Sequence, residues 1–240
     1  MNVAARYRAW LDGFPKEPQD RMAIALDAIA AYEAIERNGQ ANASDLELLV
    51  AAFCSPHKLV FETGCNLLVA LAQSHLEVQQ CLLQMARHKG TTARFHAIVY
   101  LNRNLPAPLL NQVVTLALGD RSSKVRGKGV EQAEGLGLTA FLPQLEEMQR
   151  TESDEFVLRQ LAFHIPLLRD GYLVEPASDG SGFDLTVRGP DGSVGGPFIS
   201  REEFSDERVR QEVARIRGGE DRLGQIVRQA QAKLRDENRP

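Results

Sequence analysis

Apolar and polar positions along this chain recur with a period of 32 residues. Phe61, Ala93, Val125 and Val157 stand one period apart; four residues on come Cys65, Ala97, Gly129 and Leu161, and eight on come Val69, Leu101, Ala133 and Ile165. All of them are apolar or small. Spacing of i, i+4, i+8 marks one face of an α-helix, and small members let a neighbouring helix approach closely. A preceding helix keeps the same register: Leu46, Val78, Leu110 and Leu142 align, with Leu49, Cys81, Val113 and Leu145 three residues later. Two faces held in step over four copies predict four helix pairs between residues 44 and 170.

Turn signals fall where this pattern needs them. Ser44 with Glu47 three residues on reads as a capping box. Ser-Pro at 55–56, Lys-Gly at 89–90, Gly-Asp at 119–120 and Glu-Ser-Asp at 152–154 separate helices, and Pro106 and Pro143 stand where helices begin. Residues 2–12 and 19–38 read as further helices, the second with the stripe Met22, Leu26, Ile29, Tyr32 and Ile35. After Gly171 the period changes to that of strands. Segments 172–176, 183–188 and 194–199 predict a three-stranded meander, separated by the turn sequences Ser-Asp-Gly-Ser-Gly and Gly-Pro-Asp-Gly. Residues 201–216 and 220–236 then read as two charged amphipathic helices, their apolar stripe including Phe204, Val209, Val213, Ile216, Leu223 and Ile226.

The stretch from Leu118 through Gly119-Asp120-Arg121-Ser122-Ser123-Lys124-Val125-Arg126 resembles the inter-helix turn of HEAT and HEAT-like repeats, in which an Asp in the turn precedes a Val-Arg that opens the second helix. Gly129, Ala133 and Leu136-Gly137 continue the match. Arg94 also fits the repeat arginine, whereas Glu62 and Leu158 occupy the same place in the first and last copies. The resemblance covers residues 44–170 and implies a mainly α fold, an α-α superhelix of the HEAT-like solenoid kind. Residues 1–43 are then N-terminal capping helices, 44–170 four helix-pair repeats, and 171–240 a β-meander with two terminal helices. An architecture of this kind speaks to a recognition surface rather than to any particular chemistry.

Composition changes this picture little. Of 240 residues, 43% are hydrophobic and 25% charged, the formal charge is -4, and aromatics make up 6%, all within the ordinary range for soluble domains. Cys54, Cys65 and Cys81 are three in number and lie in helical, apolar runs, as reduced core thiols of a cytoplasmic protein do. The N-terminus lacks the basic start and apolar run of a signal peptide, and no window of about 18 uncharged apolar residues suggests a membrane span.

Motifs for chemistry are sparse. His57, His75, His88, His96 and His164 show no ligand-like spacing, and CxxC, HExxH and the EF-hand loop are missing from the sequence, so no metal or other cofactor is expected. Cys54 precedes His57, but Pro56 breaks the helix between them. The glycines from 180 to 196 lack both the P-loop and the dinucleotide fingerprints and fit the turns of a small sheet. Catalytic residues are therefore not assigned.

Charge is distributed unevenly. From Arg87 to Lys128 eight basic residues face Asp120 as the single acid, whereas 129–157 carries seven acids against Arg150. Such belts either pair with one another or steer a partner. Second helices line the concave side in HEAT solenoids, so the resemblance implies that Arg94, Arg126 and Lys128 contact a partner, with Arg159 beside them and Arg121 and Lys124 along the rim. The leading expectation is a non-enzymatic protein-interaction module that meets another protein with an acidic surface. Nucleic acid stands second, because DNA alkylation-repair glycosylases built of HEAT-like pairs resemble this chain in size. The sequence pI of about 5.8 and the scarcity of stacking aromatics beyond Phe95 and Tyr100 disfavour it. A HEAT-like chromophore lyase is a distant third on architecture alone.

Overall fold

In the computed structural model, which describes residues 3–218, the chain is mainly helical with one small antiparallel sheet. The order is α1 (Val3–Leu11), α2 (Gln19–Asn38), α3 (Ala43–Phe53), α4 (Lys58–Leu71), α5 (Leu76–Ala86), α6 (Thr91–Val99), α7 (Ala107–Leu118) and α8 (Ser123–Gly135). A 3-10 turn (Thr139–Phe141) leads into α9 (Leu142–Thr151) and α10 (Glu155–Arg169). Strands β1 (Tyr172–Pro176), β2 (Gly182–Arg188), β3 (Val194–Gly195) and β4 (Phe198–Ser200) precede α11 (Asp206–Arg217). The expected helix 220–236 lies outside the described residues.

The helices stand where the 32-residue period puts them, and its stripes are buried. Ala93, Val125 and Val157, Cys65, Ala97 and Leu161, and Val69, Leu101, Ala133 and Ile165 are all in the core, while Phe61 is half-buried. In the first helices Leu49, Val78, Cys81, Leu110, Val113 and Leu145 are buried, and Leu46 and Leu142 half-buried. Close approach has the cause expected of small residues. A Cβ at Gly129 would stand 3.1 Å from the Ala117 Cβ on α7, and one at Gly64 would run into the backbone of Phe53 at the end of α3.

The chain divides into two compact units, Met1–Leu136 with Glu152–Gln160, and Gly137–Thr151 with Leu161–Pro240. This division falls elsewhere than the expected boundaries at 43 and 170, because α9 and the second half of α10 group with the sheet-bearing part of the chain.

In the first unit each helix packs on its pair mate, α3 on α4, α5 on α6 and α7 on α8, and further contacts join α5 to α7 and α6 to α8. α2 covers both α3 and α4, and α1 lies on α2 and α4. The N-cap of α3 is Asn42 rather than the expected Ser44. Asn42 Oδ1 accepts the Asp45 N–H at 2.9 Å and the Ser44 hydroxyl at 2.7 Å, and an Asx side chain one residue before the first helical turn is the better placed acceptor.

In the second unit β2 is the central strand. It pairs with β1 from Tyr172↔Val187 to Pro176↔Phe183, and on its other edge with β3 and β4. Those last two share one register, Val187↔Gly195 and Phe183↔Ile199, so the expected third strand is present but interrupted at Gly196-Pro197. Pro197 has no N–H to donate, although its carbonyl still accepts the Leu185 N–H at 3.1 Å. Leu185, Val187 and Ile199 form a small core with Val209 of α11, ringed by Tyr172, Val174, Phe204, Val213 and Ile216. α11 starts at Asp206, later than the expected 201, because the Ser205 hydroxyl accepts the Arg208 N–H at 3.2 Å and fixes the cap there.

Candidate binding site

The arginines expected to meet a partner are used inside the first unit. The Arg94 side chain is 6% exposed. Its Nε and Nη2 donate to Asp120 Oδ2 at 2.6 Å and Oδ1 at 3.0 Å, and Nη1 donates to the carbonyls of His88 at 2.9 Å and Lys89 at 3.1 Å. One period later the same fork recurs. Arg126 Nε and Nη2 donate to Glu152 Oε2 at 2.7 Å and Oε1 at 2.9 Å, with Nη1 on the Asp120 carbonyl at 2.9 Å. Bidentate arginine–carboxylate pairs of this kind fix geometry as well as charge.

Each carboxylate also closes its own turn. Asp120 Oδ1 accepts the Ser122 N–H at 2.8 Å, and Glu152 Oε1 accepts the Asp154 N–H at 3.0 Å; at the matching place His88 Nδ1 accepts the Gly90 N–H at 3.0 Å. Burial works against charge on Asp120, but Arg94, the Ser122 N–H and the neighbouring Arg121 overcome it and hold its carboxyl below the usual range. Arg126 chiefly, with the Asp154 and Ser153 N–H groups, does the same for Glu152 against a smaller burial cost.

Arg94 and Arg126 are therefore corrected from partner contacts to internal ties, each held by a buried carboxylate and by backbone carbonyl oxygen of its own unit. Of the remaining expected cations, Arg121 shares the Lys89 carbonyl with Arg94. Arg121 is exposed and donates to the Lys89 carbonyl at 2.9 Å, Lys124 lies over the Phe95 ring at 4.3 Å from its centroid, half-buried Lys128 pairs with Glu131, and Arg159 is exposed.

Side chains distant in sequence meet instead at the start of the chain. Arg6, Tyr7 and Trp10 of α1, Glu62 and Asn66 of α4, and Tyr100 at the end of α6 line a pocket of about 250 Å³. Ala4 and Leu11 are buried, and Tyr7 lies on the same i, i+3, i+7 stripe, so α1 presents Tyr7 to the body of the unit while half-exposing its ring. Arg8 anchors the helix, donating from Nη2 to Glu33 Oε2 at 2.8 Å and from Nε to Oε1 at 3.2 Å.

The Tyr7 and Trp10 rings meet edge to face, with centroids 5.9 Å apart and planes at 85°. The Arg6 guanidinium carbon lies 5.5 Å from the Tyr7 centroid. Glu62 is one turn before Asn66, whose amide donates to the Glu62 carbonyl at 2.7 Å; its carboxylate is 3.7 Å from Lys58, a side chain 79% exposed. Burial raises the phenol pKa of both tyrosines, and the Glu62 charge raises both further.

Behind Tyr100 the His96 ring stacks on Phe61 at 4.2 Å, and its Nδ1 donates to the Phe53 carbonyl at 3.2 Å. Burial chiefly, helped by the charge of Lys124, lowers the His96 pKa against the pull of that carbonyl, so the ring is neutral at neutral pH. The sequence had offered two signals for this site, a single tryptophan and a tyrosine among the repeat positions. A 32-residue period says nothing about where a helix outside the period crosses it.

The thiols are poor nucleophiles. Burial pushes Cys65 far above the ordinary thiol range and Cys81 up to about 11, and it raises half-buried Cys54 as well. Among the described residues no three His, Cys, Asp or Glu side chains gather as metal ligands would, and no helix is long and apolar enough to cross a membrane.

No protein-family model matches the chain, and no curated protein matches it either. Among solved structures, an engineered protein aligns at 15% identity over 70% of this chain and 85% of its own, with a TM-score of 0.34. That likeness is too distant to bear on fold or function.

Proposed function

We propose that this chain is a non-enzymatic recognition module, an α-solenoid of the HEAT type that binds a segment of another protein. The period-matched forks of Arg94 on Asp120 and Arg126 on Glu152 support the stacked arrangement, since each carries one second helix onto the turn of the next pair. Pairing of α5 with α7 and α6 with α8 supports it too. Three free cysteines favour a reducing compartment such as the cytoplasm.

The observation that carries the reading is the pocket, where three helices bring Tyr7, Trp10 and Tyr100 together with Arg6, Glu62 and Asn66. Half-buried aromatic rings such as these, set beside a few fixed polar groups, are usual anchors of protein recognition. Nothing around them supports catalysis, as the nearest thiols are shifted away from thiolate and His96 is held neutral by its burial. The partner need not be acidic, because the two best-placed cations of the basic belt are spent internally. The same loss weakens the nucleic-acid alternative, which needs free phosphate-binding cations.

A native pull-down with wild type, Tyr100→Ala and the distant control Arg159→Ala tests the reading. A protein retained stoichiometrically by wild type and Arg159→Ala but lost with Tyr100→Ala is the expected outcome. Retention of no protein, or tight duplex binding that weakens steeply between two salt concentrations, overturns it.

A further inference from the structure

Resting on the module reading above, we propose that the pocket of Tyr7, Trp10, Tyr100 and Glu62 receives a methylated ammonium group, carried on a lysine side chain of the partner protein. The rings supply the first reason. Tyr7 and Trp10 meet edge to face with centroids 5.9 Å apart and planes at 85°, Phe14 backs Trp10 at 5.0 Å, and Tyr100 at the end of α6 brings a third ring to the same pocket. Ring faces carry negative potential and attract cations, most strongly where water is partly excluded.

Charge supplies the second reason. Glu62 is the pocket's carboxylate, lining the same cavity as Tyr7, Trp10 and Tyr100. Among the described residues its carboxylate pairs with Lys58 at 3.7 Å, whose 79% exposed side chain makes a weak, water-screened pair. A methylated ammonium has lost hydrogen-bond donors. It therefore selects a site of ring faces and one acid over a site built from many acceptors.

Arg6 supplies the third reason. Its guanidinium already lies 5.5 Å from the Tyr7 centroid, so a cation over that ring is part of the resting site. Arg6 belongs to the exposed side of α1 and is the internal competitor that an arriving ammonium displaces. At about 250 Å³ the pocket is smaller than those that hold drug-sized ligands and fits one substituted side-chain terminus.

Trp10 is the single tryptophan of the chain, so intrinsic fluorescence of the full-length protein reads this pocket directly. Titration with tetramethylammonium chloride, against sodium chloride at equal ionic strength, is expected to give a saturable change with the organic cation alone. A peptide carrying trimethyllysine is expected to bind at least about tenfold more tightly than the same peptide with unmodified lysine, and more tightly than free choline. Glu62→Gln is expected to weaken the peptide about five- to tenfold. Arg6→Ala, which a merely structural role would make neutral or harmful, is expected to strengthen it. The far-ultraviolet spectrum of each variant establishes that it is folded; should Tyr100→Ala fail that check, the changes at half-buried Glu62 and exposed Arg6 carry the test.

No saturable response to tetramethylammonium or to the modified peptide overturns the proposal. So do choline binding as tight as the peptide, weaker binding by Arg6→Ala, or a fluorescence response to duplex DNA with none to the ammonium. Loss of partner retention by Tyr100→Ala, with no response to ammonium, sinks this inference alone and leaves the module reading standing.

Discussion

Removing the Arg94 guanidinium tests whether the recurring arginine forks hold the first unit together. In Arg94→Met the aliphatic stem is kept, but Asp120 keeps its charge with its side chain only 6% exposed, and the His88 carbonyl loses the Arg94 donor while that of Lys89 keeps Arg121. Breaking a buried ion pair from one side costs about 3–5 kcal/mol, because the abandoned charge cannot return to water. The Ser122 N–H still solvates Asp120, which puts the expected loss at the low end, about 3 kcal/mol. Arg126→Met should cost less, about 2 kcal/mol, since the Arg126 side chain is 18% exposed and water can reach the orphaned Glu152 more readily. Urea unfolding at pH 7, followed by Trp10 fluorescence, reads the unit that contains both forks. The double variant Arg94→Met with Asp120→Leu removes both charges and should recover most of the loss, as apolar replacements of buried pairs do. A single-variant loss under about 1 kcal/mol, or a double variant worse than the sum of its singles, would refute the reasoning.

Three further outcomes follow from the same geometry. Gly64→Ala ordinarily gains helix propensity of about 1 kcal/mol, but here the new methyl would lie 2.7 Å from the Ala52 carbonyl carbon. A net loss of about 2 kcal/mol is expected by urea melt, whereas Gly135→Ala, whose Cβ meets nothing within 4 Å, should be neutral or slightly stabilising. Acid unfolding should track Asp120 and Glu152, whose folded pKa values are lowered from 3.8 and 4.5. Their contribution is full above those values and lost as pH falls through the lower folded ones, so Arg94→Met should flatten that limb of the stability profile. His96, lowered from 6.5, adds an earlier loss that begins as pH drops below that value. Thiol labelling of the native protein near pH 8 should modify Cys54 first and leave Cys65 and Cys81 slow, with all three equalised in urea; rapid native labelling of Cys81 would contradict its pKa of about 11.

The helical part of the fold was legible because its cause is periodic. Ala93, Val125 and Val157 are buried for the same reason at each copy, and a stripe that recurs in step can be read without coordinates. The strands were legible through their turns, since Gly180 and Gly192 adopt φ of 71° and 85° and the sequence around them admits little else. The break at Gly196-Pro197 was less so, because Pro197 withholds a donor yet leaves the register on either side of it unchanged.

Charge was where sequence reasoning and structure parted, and the physics says why. An arginine in a list of basic residues looks like a cation available to a partner. Whether it is available depends on which carboxylate lies within about 3 Å, and that is decided by how one turn stacks on the next. Arg94 finds Asp120 and Arg126 finds Glu152, each 26 residues away, so the first pair closes inside the basic belt on its single acid and the second ties that belt to the acidic one. The sequence even carried the clue in the shared spacing of the two pairs. With those charges turned inward, the proposed site rests on α1. It follows no repeat, and its stripe of Ala4, Tyr7 and Leu11 is too short to announce more than a cap. Laid over α4 and fixed by Arg8 on Glu33, that helix converts a covering element into one wall of a pocket. A helix outside the period is not bound by the small, apolar demands of the repeated stripes, so α1 can carry Arg6, Tyr7 and Trp10 where the repeated helices carry packing residues.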